Sequence, residues 1–197
     1  MTELIFASHN PHKTAELRAL FEAFGLNVSL RSLADIGYKR EIVEDGSTFE
    51  ENAAIKAKQV WEDTGRLCIA DDSGLCVDAL GGAPGIYSAR YAGEGREDGA
   101  NNALLLSNMA GIPREERGAS FVCVLALAGP DGVRTWRGEC RGSILEERSG
   151  TGGFGYDCVF WYPPLNSSFG LLPPEVKNRV SHRWDAVRRF AGPQSKK

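Results

Sequence analysis

The chain has 197 residues, of which 42% are hydrophobic and 25% are charged, and its formal net charge is -3. This composition is typical of a globular protein and excludes a disordered or fibrous chain. The slightly acidic balance argues against duplex nucleic acid as the main partner, because proteins that bind it usually carry a broad basic face. The sequence shows neither a secretory signal nor an apolar run long enough to span a bilayer. We therefore expect a cytoplasmic protein with no nucleic-acid partner and no membrane partner.

The length predicts one domain over residues 1–197, either undivided or built as two lobes, and the last residues, 192–197, are expected to form a flexible tail. The five cysteines are odd in number and lie far apart, without a C-x-x-C pair or a histidine at zinc-finger spacing. We expect them to be reduced thiols that are mostly buried.

The first predicted elements are a buried strand at residues 4–7, a helix that ends at Gly25, and a second strand at residues 27–30. The turn before the helix is a candidate phosphate site, because a helix N-terminus offers backbone N–H groups and the positive end of the helix dipole. The simpler alternative is that Asn10 and Pro11 only start the helix. The candidate residues of this turn are Ser8, His9, Asn10, Pro11, His12 and Lys13.

A polar run that includes Glu44 precedes the next predicted helix, which covers residues 47–63. Ser47 is the predicted N-cap, with Glu50 three residues later in a capping box. Lys56 interrupts the apolar face of this helix. Its stem either covers the core while the ammonium reaches solvent, or the ammonium extends into a binding cleft.

A predicted strand at residues 67–70 is followed directly by Asp71, Asp72 and Ser73. Ligands of α/β proteins commonly bind beyond the carboxyl ends of strands, and two adjacent carboxylates there form a plausible site for a hard cation. The alternative is an ordinary acidic turn. Because neighbouring carboxylates repel each other and raise each other's pKa, a metal or a lysine is expected nearby.

The second half of the chain predicts a helix, several strands and a glycine-rich segment before a final helix that begins at Ser181. His182 and Arg183 lie in the first turn of that helix, where a positive group opposes the helix dipole, which indicates that they face an anionic or carbonyl-bearing ligand. The glycine-rich segment, residues 150–157, brings backbone close to a ligand. The other predicted elements are a helix at 99–109, strands at 121–127, 133–136 and 144–146, an extended segment at 158–162 and a helical turn at 175–180.

Six separate pieces of the sequence together resemble the inosine triphosphate pyrophosphatase family, and they extend over nearly the whole chain. They are Ser8-x-Asn10-x-x-Lys13, EDGSTFEENA at 44–53, ADDSG at 70–74, GGAPGIYSAR at 81–90, GGFGYD at 152–157, and Lys177 with Ser181-His182-Arg183. The resemblance implies an α/β fold with an elongated mixed β-sheet, flanking helices and two lobes around a central cleft. It also implies a homodimer that uses Mg²⁺ to hydrolyse ITP, dITP and XTP to the monophosphate and pyrophosphate.

The resemblance further implies a role for each candidate residue. Asp72 would be the general base, Glu44 and Asp72 would bind Mg²⁺, and Asp71 would support them. Residues 8–13, with Lys56 and Ser73, would bind the phosphates. Phe154 would stack on the base. The base and sugar would be surrounded by Gly155, Tyr156, Asp157, Lys177, His182 and Arg183.

Specificity is expected to follow from hydrogen-bond polarity. Hypoxanthine and xanthine carry a 6-oxo acceptor where adenine carries an amino donor, so protein donors at that position would oppose adenine. The sequence shows no feature that would reject the 2-amino group of guanine.

Three residues depart from the family pattern: His9 replaces a glycine, His12 lies in the phosphate turn, and Cys158 replaces a proline. We expect the histidines to point outward and Cys158 to pack in the interior. Two other functions stay open from the sequence: a pyrophosphatase of modified pyrimidine or methylated nucleotides, and a nucleotide-sensing or RNA-binding module. The catalytic residue types argue against pure binding, and no RNA-recognition motif is evident.

Overall fold

The computed structural model describes residues 2–95 and 97–192. Within these residues seven strands form one mixed sheet in the order β2-β1-β3-β4-β5-β6-β7. Strand β1 is parallel to β2 and to β3, whereas β6 is antiparallel to both β5 and β7. The strands are β1 Thr2–Phe6, β2 Val28–Ser32, β3 Cys68–Val77, β4 Gly118–Gly129, β5 Gly132–Ile144, β6 Phe160–Tyr162 and β7 Ser167–Ser168.

Helices accompany this sheet, which confirms the predicted α/β class with a mixed sheet. The α-helices are α1 Pro11–Ala23, α2 Phe49–Thr64, α3 Asp98–Asn108, α4 Pro174–Lys177 and α5 His182–Ala191. Short 3₁₀ segments connect several elements, and one of them, Asp157–Val159, begins at the last residue of the glycine-rich segment. No helix within the described residues is long and apolar enough to cross a membrane.

The chain divides into two compact units. Among the described residues, unit 1 consists of 2–72, 123–138 and 183–192, and unit 2 consists of 73–95, 97–122 and 139–182. Strands β3, β4 and β5 each contribute residues to both units. The tail predicted at residues 192–197 lies outside the described residues apart from Gly192.

The core of unit 1 is built on the apolar face of α1. Leu17, Leu20 and Phe21 of this helix are at most 3% exposed and pack with residues of β1 and α5. The ring of Phe21 stacks on that of Phe190, with centroids 5.5 Å apart. The helix ends at Ala23, and Gly25 has φ +64°, a left-handed conformation that glycine adopts without strain. The predicted helix face and its glycine end are therefore confirmed.

The core of unit 2 is aromatic. The ring centroid of Phe160 lies 4.5 Å from that of Phe121 and 4.9 Å from that of Phe169, and all three rings are buried. Cys158 is buried in the same cluster, as expected for a residue that packs. All five cysteines are free thiols, four of them buried and Cys76 half-buried, which confirms the reading of reduced thiols.

The start of α2 differs from the prediction by one residue. The N-cap is Thr48, whose hydroxyl accepts a hydrogen bond from the Glu51 N–H at 3.1 Å, and the Glu51 carboxylate accepts the Ser47 N–H at 2.6 Å. The capping-box spacing occurs twice in overlapping registers, Ser47 with Glu50 and Thr48 with Glu51. The observed register makes Phe49 the first helical residue and buries its ring.

Strand β5 is a single long strand that contains the predicted strand at 133–136 and ends at Ile144, so residues 145 and 146 of the second predicted strand lie beyond it. Gly138 and Gly142 interrupt the strand-forming pattern, and this is why residues 133–136 and 144–146 looked separate. A Cβ at position 142 would lie 2.3 Å from the carbonyl oxygen of Trp161, so glycine is required by the close approach of the neighbouring strand. Smaller shifts occur at β6 and α4, which are shorter than the predicted segments.

Candidate active site

The turn between β1 and α1 is ordered by its own side chains. Asn10 Oδ1 accepts the N–H groups of His12 at 2.9 Å and Lys13 at 3.1 Å, and Ser8 Oγ accepts the Asn10 N–H at 3.1 Å. Asn10 as N-cap and Pro11 as first helical residue are therefore confirmed. His9 and His12 are exposed, as expected. Because these backbone donors are engaged within the turn, the ammonium of Lys13 is its clearest group for an anion.

Asp71 and Asp72 do not form the predicted turn, because β3 continues through both residues to Val77. Consecutive side chains of a strand point to opposite faces of the sheet. The two carboxylates accordingly have different hydrogen-bond partners, Lys13 for Asp71 and Lys56 for Asp72. Adjacency in sequence therefore does not give the two carboxylates a common position, and a cation site that includes Asp72 stays a prediction.

Asp71 is a buried carboxylate with hydrogen-bond donors from α1, α5 and β4. It accepts hydrogen bonds from Lys13 Nζ of α1, from Arg183 Nε of α5 at 2.9 Å and from the thiol of Cys123 of β4 at 3.1 Å. Arg183 also pairs with Glu16 and is only 1% exposed. Three separate parts of the chain therefore meet on this carboxylate.

The charges around Asp71 determine its ionisation. Burial raises the pKa of Asp71, but the attraction of Arg183 and Lys13 outweighs burial, so the pKa lies well below its usual value. Burial and the Asp71 carboxylate raise the pKa of the Cys123 thiol well above its usual value. Cys123 therefore remains protonated and serves as a hydrogen-bond donor.

Asp72 shares a buried lysine with Glu44. The Nζ atom of Lys56, on α2, lies 2.7 Å from Asp72 Oδ1 and 2.8 Å from Glu44 Oε2. Burial lowers the pKa of Lys56, but Asp72 and Glu44 outweigh that effect and raise it, so the ammonium stays charged. Of the two alternatives for Lys56, the structure therefore places its ammonium on these acids, not in solvent.

The two acids differ in basicity. Burial raises the pKa of Asp72 to about 6, although Lys56 acts in the opposite direction. Burial also raises the pKa of Glu44, but there the charge and hydrogen bond of Lys56 prevail and the pKa is lowered. Pairs of carboxylates whose environments separate their pKa values are typical of catalytic sites. Asp72 is the stronger base of the pair.

The oxygen donors of Glu44 and Asp72 suit a magnesium ion. The residues described contain no cluster of three or more His, Cys, Asp or Glu that could hold a metal. Magnesium, however, is usually bound by one or two carboxylates together with water and substrate phosphates. Asp72 Oδ2 is buried and accepts no hydrogen bond from the described residues, so a carboxylate oxygen is available for such an ion.

Unit 2 contains a second cluster, formed by the glycine-rich segment and α4. Asp157 Oδ2 accepts hydrogen bonds from Lys177 Nζ at 2.6 Å and from the Phe154 N–H at 2.9 Å. Lys177 Nζ also lies 4.8 Å from the centre of the Phe154 ring, within the range of a cation–π interaction. A Cβ at Gly153 would lie 2.0 Å from Asp157 Oδ2, and Gly153 has φ +72°, so this position requires glycine.

The residues predicted to contact the base are divided between unit 1, which contains Arg183, and unit 2, which contains the others. Lys177 contacts the Phe169 ring at 6.0 Å, Phe169 stacks on Phe121, and Phe121 stacks on His182 at 4.9 Å. Arg183, which was also predicted to contact the base, is buried in unit 1, where it pairs with Asp71 and Glu16, and its contact with the base stays a prediction. Ser73, half-buried in β3, begins unit 2. The base-side group in unit 2 contains Phe154, Gly155, Tyr156, Asp157, Lys177 and His182.

The sequence analysis did not identify four residues that hold these clusters. Cys123 lies in an apolar strand and cannot be distinguished there from a small hydrophobic residue. Glu16 follows Lys13 by three positions on α1, and this helical spacing was the one available signal. Asp98 and Asn102, on α3, contact the backbone of Gly155, more than fifty residues away in sequence.

Known proteins resemble this chain over almost its full length. The model of the Ham1 family matches residues 4–192. A dITP/XTP pyrophosphatase of Bacillus licheniformis is 47% identical over 192 residues, with 97% of each chain covered. The dITP/XTP pyrophosphatase of Geobacter sulfurreducens is 50% identical over 188 residues, 95% of this chain and 94% of that protein. The structure of the Staphylococcus aureus Ham1 protein superposes with a TM-score of 0.86 at 37% identity, covering 96% of both chains. The family resemblance is confirmed.

Substitution of Asp71 by Asn should destabilise the protein by about 3–5 kcal/mol at neutral pH, because it removes the anion from a buried ion pair. The pKa of Asp71 is lowered in the folded state, so its contribution is present above about pH 4 and is lost as the pH falls further. Urea unfolding from pH 7 to pH 3 should show the difference between wild type and Asp71→Asn shrinking below pH 4. Asp131→Asn, at an exposed turn, is the control. A difference that stays constant with pH would contradict the assignment.

Proposed function

The chain belongs to the Ham1 family, and we propose that it hydrolyses non-standard purine nucleoside triphosphates, namely ITP, dITP and XTP, to the monophosphate and pyrophosphate. It is a nucleoside triphosphate pyrophosphatase. The observation in the structure that supports this function best is the triad of buried Lys56 and Asp72 with half-buried Glu44. It combines a cation that can bind phosphate with two carboxylates of different basicity. Phosphoanhydride hydrolysis requires positive charge at the phosphate oxygens and a base for the attacking water.

Lys13 and Lys56 are the proposed phosphate-binding cations. Both ammonium groups are held by carboxylates, so their positions are fixed before a substrate binds. The Lys13 side chain is 18% exposed, which leaves part of it accessible to a ligand. Charge-assisted contacts from such fixed donors stabilise the phosphate oxygens without further ordering of the side chains. Ser8 and Ser73 are expected to add hydroxyl contacts.

Asp72 is the proposed general base. A base acts best when its pKa lies near the working pH, and burial raises the pKa of Asp72 to about 6, so it is ionised at neutral pH yet still basic. Its buried Oδ2 atom, without a hydrogen bond to the described residues, is the atom available to a water proton. Lys56 holds the other oxygen and fixes the orientation of the carboxylate.

Glu44 and Asp72 are the residues we propose to hold Mg²⁺. When bound, the ion supplies positive charge to the phosphate oxygens. Glu44 contributes a carboxylate whose lowered pKa keeps it ionised. Asp71, on the other face of β3, is not part of this set and acts by holding Lys13.

The base-side group in unit 2 is proposed to bind the purine. Phe154 offers an aromatic face for stacking, and the ammonium of Lys177 already lies on that ring. Asp157 neutralises Lys177 and orients the Phe154 peptide. Hydrogen-bond donors from this group would meet the 6-oxo acceptor of hypoxanthine or xanthine and oppose the 6-amino group of adenine.

A homodimer acting in the cytoplasm is the expected state of the enzyme. The dimer is an expectation from the family resemblance. The cytoplasm holds the nucleotide pool on which the proposed reaction acts, and five unpaired cysteines are compatible with its reducing conditions.

A substrate panel tests the reaction. With Mg²⁺, dITP and XTP should give pyrophosphate with a kcat/KM at least about a hundredfold above that for dATP, because opposed hydrogen-bond donors penalise adenine. Ion chromatography identifies the phosphate product. Equal turnover of dATP, or orthophosphate as the direct product, would contradict the proposal. A preference for modified pyrimidine or methylated nucleotides would favour the rival enzyme, and tight binding without turnover would favour a sensor.

Asp72→Asn should lower kcat for dITP by about 10²- to 10⁴-fold, because the amide cannot accept the proton of the attacking water. Nucleotide affinity, measured by calorimetry with IMP, should change little. Asp45→Asn is the matched control, since Asp45 is exposed and adjacent to Glu44 in sequence. A fully active Asp72→Asn enzyme would remove Asp72 from the role of base.

Glu44→Gln should raise the Mg²⁺ concentration needed for half-maximal activity by about tenfold or more, because one anionic ligand is lost. The measurement is a Mg²⁺ titration of dITP turnover at saturating nucleotide after treatment with a chelator. Glu41→Gln, at an exposed position on the same segment, should leave the titration unchanged. Identical titrations for Glu44→Gln and wild type would exclude Glu44 as a ligand.

A further inference from the structure

Helix α3 holds the two peptide groups that flank Gly155. The Gly155 N–H donates to Asp98 Oδ2 at 2.6 Å, and Asn102 Nδ2 donates to the Gly155 carbonyl oxygen at 2.8 Å. Asp98 is the first residue of α3, and Asn102 lies one turn later on the same side. The orientation of both peptide planes is therefore set by side chains outside the glycine-rich segment.

Asn102 can hold only one orientation. Its side-chain nitrogen donates to the Gly155 carbonyl and also to the Asp98 carbonyl at 2.7 Å, which uses both N–H groups of the amide. Asn102 is 1% exposed, and its Oδ1 atom is buried without a hydrogen bond to the described residues. Rotation of the amide by half a turn would place that oxygen against two carbonyl oxygens. The two N–H bonds thus outweigh the cost of an unsatisfied buried acceptor.

The direction of one backbone donor follows from these contacts. In a trans peptide the carbonyl and the N–H of the next residue point in opposite directions. Because the Gly155 carbonyl points to Asn102, the N–H of Tyr156 points away from Asn102. Asn102 therefore controls the direction of a donor that belongs to the proposed base-side group.

Among the N–H groups of residues 154–157, that of Tyr156 is the one left open. The N–H groups of Phe154, Gly155 and Asp157 are accepted by Asp157 Oδ2, Asp98 Oδ2 and the Phe154 carbonyl, respectively. Within the part of the chain that the structure describes, the Tyr156 N–H forms no hydrogen bond. The Tyr156 side chain is fixed separately, by a bond from its hydroxyl to the Ser88 carbonyl at 2.8 Å.

We propose that Asn102 is a positioning residue for substrate specificity: it aims the Tyr156 N–H at the 6-oxo acceptor of the non-standard purine, while Asp98 holds the preceding peptide. This inference rests on the proposed function. A fixed donor at that position gives a hydrogen bond to hypoxanthine and xanthine and faces the amino donor of adenine. Asn102 and Asp98 act through Gly155 and Tyr156, and their effect on specificity requires no contact with the substrate.

The test compares dITP with the triphosphate of 2′-deoxyribosyl purine, which has hydrogen in place of the 6-oxo group. Wild type should prefer dITP. Asn102→Ala should raise KM for dITP about tenfold, the loss expected for one hydrogen bond within a site, while kcat changes little. KM for the purine analogue should stay near the wild-type value. The preference for dITP should therefore fall by about the same factor. If Asn102 had a purely structural role, its loss would raise KM for both substrates alike and leave the preference unchanged.

Asp98 provides an independent pair of variants at an exposed position. Asp98→Ala removes the acceptor of the Gly155 N–H and should reduce the preference for dITP, whereas Asp98→Asn keeps an acceptor oxygen and should restore it. Asn108→Ala is the matched control, because Asn108 lies on the same helix and its side chain donates to the Tyr91 hydroxyl at 2.8 Å, away from Gly155. Thermal unfolding of each variant verifies that it is folded.

The outcomes separate this inference from the proposed function. If wild type releases no pyrophosphate from dITP, the proposed function fails. If wild type prefers dITP and both Asn102→Ala and Asp98→Ala keep that preference, the positioning role is overturned while the function stands. If Asn102→Ala does not fold, the two Asp98 variants decide, and an unchanged preference in Asp98→Ala overturns the inference.

Discussion

The alternation of side chains along β3 is the constraint on which unit 1 depends. Asp71 and Asp72 are adjacent in sequence, yet they point to opposite faces of the sheet and acquire opposite properties. Asp71 has a lowered pKa and holds Lys13, whereas Asp72 has a raised pKa and shares Lys56 with Glu44. One dipeptide thus supplies a structural anion to one face and a base to the other.

The network around Asp71 contributes more to the positions of the surrounding elements than to the free energy of unfolding. Removal of charges from water costs several kcal/mol per ion, and their attraction often only compensates that cost. What the network does fix is the relative position of α1, β4 and α5, because Lys13, Cys123 and Arg183 must all reach the same carboxylate. The neutral thiol completes the set without adding another charge.

Local chemistry made part of this structure predictable. Asn10 and Pro11 start α1 as their side chains require, because capping depends on residues only a few positions apart. Prediction from the sequence was wrong where the local structure depends on a partner that is distant in sequence. Asp71 and Asp72 look like a turn because acids before a glycine favour turns, but ion pairs with two lysines and an arginine allow them to remain in a strand. The ion pair of Arg183 with Asp71 was not predicted for the same reason, since no local signal in the sequence indicates it.

The glycine-rich segment shows the same limit in a different form. Its composition indicates backbone close to a ligand, and Gly153 confirms the need for glycine, because a Cβ there would collide with Asp157. Composition cannot indicate which N–H groups stay available. That depends on acceptors elsewhere: Asp157 takes the Phe154 N–H, and Asp98 takes the Gly155 N–H from fifty-seven residues away. The glycines of such a segment expose its backbone to a ligand. Which N–H groups can bind that ligand depends equally on which of them already donate to acceptors within the protein.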